Sequence, residues 1–518
     1  MANGLLLKMF NTTNMKKIIL AAVLAIVAVS AQAQMQFPRS QAEDTKGYMS
    51  EAYWALWNEE EQARIDSDIE KYRKADGKLV LENIGRNRKV KIEQISHEFI
   101  FGSNIFNFNQ LGKTEYNDRY KRAFGELFNS ATIPFYWRTL EQKRGMPRFE
   151  TAEKDTEAWW NSCEKPNSQS HWRRPSTDQI VDFCEQKGIR AHGHVLVWGS
   201  VGAQMPSWLK KELMTKEECE TYARFLPRPK TAKNREAWKA LTVDEMESDF
   251  ANFSKNIDNA HDARIKQIAE RYGARLQSWD VVNESALDVK NILEGRTISK
   301  SNRYGVMPGD YPYKALKSAE MYFPKEVKLN INDFVRKPAY TAQVKRLLER
   351  GCKIDIMGIQ MHLMKPKMCA DIAAGKKIQT PKQVRQYVGW ASQTGLPIHM
   401  SEITIAAPAE DEHSFMIQAI ITQNLYRLWF SQKNMMGITW WNAVDGCGRK
   451  GEPSISGIFT RDMQEKPAYH ALDQLINHEW KTNTTVKADK GGNVEFRGFK
   501  GKYRITYKDK RGKTQTVE

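Results

Sequence analysis

Two glutamates, Glu284 and Glu402, lie near the ends of short apolar runs, "WDVVNES" (279–285) and "HMSEITI" (399–405). Runs this apolar read as strands buried on both faces, where an ionisable side chain needs a reason to be present. A single Glu at a strand end is usually solvated or paired with Lys or Arg. Two of them facing each other have a chemistry: the protonated one donates to a leaving oxygen, and the ionised one acts at the anomeric carbon. Cleavage of a glycosidic bond needs that division of labour. The case for it rests on whether the chain brings the two carboxyls together.

Between about 97 and 478 the sequence alternates strand-like runs with polar segments of helical period. The runs are 97–106, 131–137, 189–198, 276–285, 328–334, 354–362, 397–405 and 437–445. Eight strands, each followed by a helix, predict an α/β fold of the (β/α)8 TIM-barrel type. An open doubly wound sheet is the alternative, but no Gly-rich phosphate loop follows the first run. Polar residues gather late in the runs: Asn283, Asn332, Asp333, Gln360, His362, Ser401, Trp441 and Asp445. In a barrel the strand C-termini share one face, so Glu284 and Glu402, on the fourth and seventh strands, meet at one pocket.

Flanking segments add smaller elements. Residues 34–96 read as a charged helix and then a hairpin around Gly85, and 479–518 as strands broken by glycines. Each is small for a core of its own, so the two are expected to pack together as one small β-rich accessory module beside the 97–478 barrel. Residues 159–177, with Trp159, Trp160 and Trp172, and 225–241 read as loops overhanging the pocket.

Residues 1–33 read as a secretory leader, with Met15 as the start, Lys16 and Lys17 before an apolar stretch, and Ala31-Gln32-Ala33 before Gln34. The expectation is an exported, monomeric protein, periplasmic or extracellular, with no membrane span. Without the leader, 76 basic residues face 62 acidic ones, a net charge of +14. No basic block interleaved with stacking aromatics accompanies this surplus, which argues against nucleic acid and leaves an acidic polysaccharide or a generally basic surface. Six scattered cysteines indicate neither a disulfide framework nor a zinc site. His192 and His194 share one side of a strand, but no third ligand follows, so neither a metal nor another cofactor is expected.

Six motifs in order, "RAHGHVLVW" (190–198), "WDVVNES" (279–285), "LNINDF" (329–334), "GIQMHL" (358–363), "HMSEITI" (399–405) and "GITWWNAVD" (437–445), resemble the strand ends of glycoside hydrolase family 10, typified by endo-β-1,4-xylanases. The resemblance implies a retaining hydrolase of xylan-type polysaccharide. It implies Glu284 as acid/base and Glu402 as nucleophile, with Asn283 on the sugar 2-hydroxyl, His362 steadying Glu402, and Gln360 lining the site. It further implies His194 and Trp198 around the −1 sugar and Trp441 as an aromatic floor, with Asn332 as a further contact. One of Trp440 and Trp441 must be core, because neighbours on a strand alternate faces.

Several positions depart from the family pattern. Pro134 and Phe135 stand where a sugar-gripping Glu-Asn pair is usual, and Arg138 replaces a Lys. Gly199, Ser200 and Val201 intervene before Gln204, and Thr404 stands where an Asp would orient His362. The region around Arg449 and Lys450 lacks a usual Trp. The expectation is therefore a decorated xylan, with Pro134 and Phe135 as a new apolar surface. The alternatives are a retaining β-glycanase on another β-glycan and a catalytically silent carbohydrate-binding protein.

Overall fold

The computed structural model describes residues 35–162, 174–199, 204–225, 232–292, 294–301, 305–448 and 454–518. The leader, Cys163, Trp172, Ser200, Val201, Arg449 and Lys450 lie outside these residues. Two strands come first, β1 (Lys74–Val80) and β2 (Lys89–His97). Then β3 (Ile100–Asn104), β4 (Ser130–Pro134), β5 (Arg190–Trp198) and β6 (Ser278–Asn283) build half of a closed barrel. After a short antiparallel pair, β7 (Ile298–Ser301) and β8 (Gly305–Pro308), the barrel resumes with β9 (Lys328–Asp333), β10 (Ile356–Leu363), β11 (Ile398–Ile405) and β12 (Met435–Trp440). All eight barrel strands are parallel and in chain order, and β12 closes on β3 with Gly437 level with Ile100. This is the (β/α)8 barrel that the alternation of the sequence predicts.

The strands are apolar because helices cover their outer side, and β11 is buried along its whole length. Helix starts follow local chemistry: Thr380 and Gln383 form a capping box before Pro381. Gly188, at φ +65°, ends helix Thr177–Lys187 in a left-handed conformation that suits glycine. Helices Glu51–Leu56 and Glu59–Arg73 lie against helix Glu412–Ser431, where Asn424 accepts from Gln62 (3.0 Å) and donates to the Tyr53 hydroxyl (2.8 Å). Fully buried Arg427 joins the same junction through Asp66 (2.6 Å) and Glu479 (2.9 Å).

The terminal strands do form extra sheets beside the barrel, with β13 (Asn483–Lys487), β14 (Asn493–Phe499), β15 (Gly501–Lys508) and β16 (Thr514–Val517). The expected hairpin around Gly85 is absent. β1 pairs with β14, and β2 lies between β13 and β15 in the order β13-β2-β15-β16. The connection 81–88 is too long for a tight hairpin turn, and its backbone binds the C-terminal loops instead. Leu81, Val90, Ile92, Ala488, Val494 and Ile505 make a small second core. The segment 225–241 is also not simply a loop, since Ala232–Ala240 is helical. Cys184, Cys219, Cys352 and Cys369 are free thiols, and among the described residues no helix is long and apolar enough to cross a membrane.

Candidate active site

β6 delivers Asn283 and then turns sharply. Glu284 sits at φ +57°, a region non-glycine residues seldom adopt, and its N–H donates to the Asn332 carbonyl (2.8 Å). Behind it, the Asp333 carboxylate accepts from the N–H groups of Ala286 (2.8 Å) and Val335 (2.9 Å). Burial pushes Asp333 up to about 7, opposed by those two hydrogen bonds and reinforced by the Glu284 and Asp288 charges.

Glu402, buried in β11, is held at both oxygens. Oε1 accepts from Asn332 Nδ2 (2.8 Å), and Oε2 lies 3.4 Å from His362 Nε2. Nδ1 of His362 meets Thr404 Oγ1 at 2.8 Å, so the hydroxyl occupies the position from which a carboxylate would orient the ring. Burial pushes Glu402 up to about 8; His194 and Asn332 oppose this, while Glu284 and Asp280 add to it.

Asn332 has no exposed surface. Its Nδ2 donates to Asn283 Oδ1 (3.0 Å) as well as to Glu402, and its Oδ1 accepts from Ser401 (2.5 Å). It bridges the strands that carry the two glutamates and does not face the cleft, a correction to its expected place as a sugar contact. Gln360 Nε2 also donates to Asn283 Oδ1, at 3.1 Å.

The wall of the site is aromatic. Trp441 stands 5.5 Å from the His194 ring, 6.5 Å from His362 and 5.1 Å from Phe106, while Trp440 is fully buried and donates to the Ser456 carbonyl. Trp198, at the end of β5, lies 6.1 Å from Tyr136. His194 and His192 both reach Asp280 Oδ2, at 2.8 and 3.0 Å. Burial disfavours the Asp280 charge, but the two imidazoles outweigh it and hold the carboxyl well below its usual range. The histidine pair therefore serves a core carboxylate, and no metal-holding cluster occurs among the described residues.

One expectation for the strand-2 region needs correction. Phe135 is fully buried, 4.5 Å from Trp279 and 5.2 Å from Tyr272, so it packs outward between strand and helix. Tyr136 instead reaches the wall, 5.4 Å from His194. Arg138 is exposed on helix Trp137–Leu140, beside Lys210. The cation at the wall is Arg174, 4.4 Å above Phe106 and 5.5 Å from Tyr136. Asp445 is also withdrawn, buried against Lys466 at 3.0 Å.

The chain is similar to known proteins. The family model of glycosyl hydrolase family 10 matches residues 92–475. Endo-1,4-beta-xylanase A of Halalkalibacterium halodurans is 32% identical over 209 residues, covering 38% of this chain and 44% of the relative. Anti-sigma-I factor RsgI6 of Acetivibrio thermocellus is 22% identical, covering 81% and 42%. Endo-1,4-beta-xylanase B of Thermotoga neapolitana is 22% identical, covering 74% and 89%. The chain thus spans under half the length of the first two. Among solved structures, xylanase 10B of Thermotoga petrophila with xylobiose aligns at 18% identity and a TM-score of 0.48, covering 74% and 95%.

Proposed function

The chain belongs to glycosyl hydrolase family 10, and from that membership and its Glu284–Glu402 site we propose that it is a retaining hydrolase of β-1,4-linked xylan-type polysaccharide. The observation that carries the reading is the Asn332 bridge, whose one amide nitrogen grips both Glu402 and the residue beside Glu284. It ties the Glu402 carboxylate to the strand end from which Glu284 follows.

In the first step Glu402 attacks the anomeric carbon while Glu284 protonates the leaving oxygen. In the second, Glu284 takes a proton from the water that releases the sugar from Glu402. Asn283 has its oxygen engaged by Asn332 and Gln360, which leaves its NH2 to meet the 2-hydroxyl. His362 donates to Glu402, His194 and Trp198 flank the −1 sugar, and Trp441 supplies an apolar floor. A sugar with an acidic branch suits the wall through Arg174, beside the Arg138, Arg449 and Lys450 expected from sequence. Export to the periplasm or exterior belongs to the same reading, since the polymer is found there.

Product analysis on plain xylan, glucuronoxylan, arabinoxylan and mixed-linkage β-glucan tests this, with Glu402→Ala as control. Cleavage of a xylan, lost in the variant, is the expected result. The alternative reading is glycan binding without cleavage. Absence of products from every polymer, with the variant indistinguishable, would select it.

A further inference from the structure

Charge is concentrated at one end of the accessory sheets. Residues 74–97 and 483–518 hold sixteen Lys and Arg against seven Asp and Glu, more than half of the chain's net +17. Much of the module's other charge is paired: Lys78 with Glu495, Lys91 with Glu93, Arg504 with Glu518. The surplus gathers where β2 begins and β13 and β15 end.

Three connections meet at that tip, 81–88, 488–492 and 509–513, and the main chain stitches them into one surface. Leu81 N–H donates to the Gly492 carbonyl (2.9 Å) and Ala488 N–H to that of Arg88 (2.9 Å). Gly85 N–H donates to Lys508 (2.8 Å), and Lys510 N–H to Asn83 (2.8 Å). The register then sets lysines side by side. Lys487 is directly opposite Lys89, and Tyr507 opposite Val90 puts Lys508 level with Lys89. Opposite residues share a face, so three exposed ammonium groups line up over three strands, spanning about 10 Å. Exposed Arg86, Lys490 and Arg511 stand on the connections around this row.

Like charges directly opposite each other destabilise a sheet. Lysines on an outer strand can be explained as protection against edge-to-edge pairing. That explanation covers Lys487 on β13 but not Lys89 or Lys508, because β2 and β15 are interior strands. Among the described residues the nearby acids form no salt bridge with the row. Asp489 is engaged by Asn493, and Asp509 by the N–H groups of Arg511 and Lys513 and the Gln515 amide.

We propose that this tip is a second binding site, for the carboxylates of a uronate-bearing polysaccharide. β2 runs from the tip to His97, and β3 starts at Ile100 and heads for the face that carries Glu284 and Glu402. The module therefore joins the barrel at the end opposite the two glutamates, and the tip lies at the far end of β2 from that junction. The choice of a uronate polymer over another polyanion rests on the glycan-cleaving reading above.

The test is affinity electrophoresis of the full chain, in a Glu402→Ala background so that the polymer survives. The gels contain glucuronoxylan, the same polymer after carboxyl reduction, or duplex DNA. Retardation by native glucuronoxylan is expected, falling as salt rises and lost on carboxyl reduction. Lys89→Glu/Lys487→Glu/Lys508→Glu should weaken it about tenfold or more, and the triple Gln variant should follow it in the same direction. With Glu402 intact, the triple Gln variant should keep wild-type kcat/KM on a short neutral xylo-oligosaccharide. Equal retardation by the reduced polymer, unchanged retardation of both triple variants, or retardation by DNA alone would overturn the proposal. Failure of the catalytic reading would show separately, as absence of hydrolysis by wild-type protein.

Discussion

At the scale of single residues, Thr404 changes what His362 can be. A carboxylate in contact with Nδ1 would only accept, holding a proton on that nitrogen. A hydroxyl can donate to Nδ1, which lets a neutral imidazole direct its Nε2 proton at Glu402. Thr404→Val should lower kcat about tenfold through loss of one hydrogen bond behind a charged group, with KM little changed and Thr404→Ser close to wild type. Steady-state kinetics on an aryl glycoside would check this; an unchanged kcat would place His362 under other control. Burial pushes Glu402 up to about 8, and an ionised Glu284 would add to that shift. Glu284→Gln removes that charge, so Glu402 ionises at lower pH. The acid limb of the glycosylation rate with an activated leaving group should accordingly move to lower pH, and a shift to higher pH would contradict the coupling.

At the scale of elements, the site depends on close approach between strands. A Cβ at Gly358 would lie 2.6 Å from Asn332 Oδ1 and 3.1 Å from Ser401 Oγ. Asn332 cannot yield without releasing Asn283 or Glu402, so Gly358→Ala should cost about 1–3 kcal/mol of stability and most of the activity. Thermal unfolding together with kinetics would show both losses. The barrel was legible in the sequence because parallel strands covered on both sides leave uninterrupted apolar runs with polar ends. The glutamates were legible for the same reason, as charges where the run should continue. Side-chain direction was not: Phe135 looked like pocket lining until its ring was found against Trp279, and Asn332 looked like a sugar contact until both ends of its amide were found engaged. The false hairpin has a similar cause, since the partner of β1 lies some four hundred residues away and leaves no local trace.

At the scale of the molecule, the C-terminal strands complete the N-terminal ones and reach the barrel. Phe499 packs 6.1 Å from Phe430 and 6.2 Å from His97, and Arg73 donates to the Phe430 carbonyl. Removing residues 483–518 would strip partners from both β1 and β2 and open the second core, so soluble yield should collapse. The milder Phe499→Ala should lower stability by about 3 kcal/mol, read from denaturant unfolding. A truncated chain that unfolds at the wild-type temperature would show instead that the module is an appendage.

The central claim, that Glu402 forms a covalent bond to sugar while Glu284 manages the proton, is tested most directly by trapping the intermediate. A 2-deoxy-2-fluoro-β-xylobioside with a good leaving group slows the second step and should leave one glycosyl unit on the protein. Peptide mass analysis is expected to find it on Glu402. Turnover of the non-fluorinated parent substrate with no adduct, or an adduct on another residue, would contradict the mechanism.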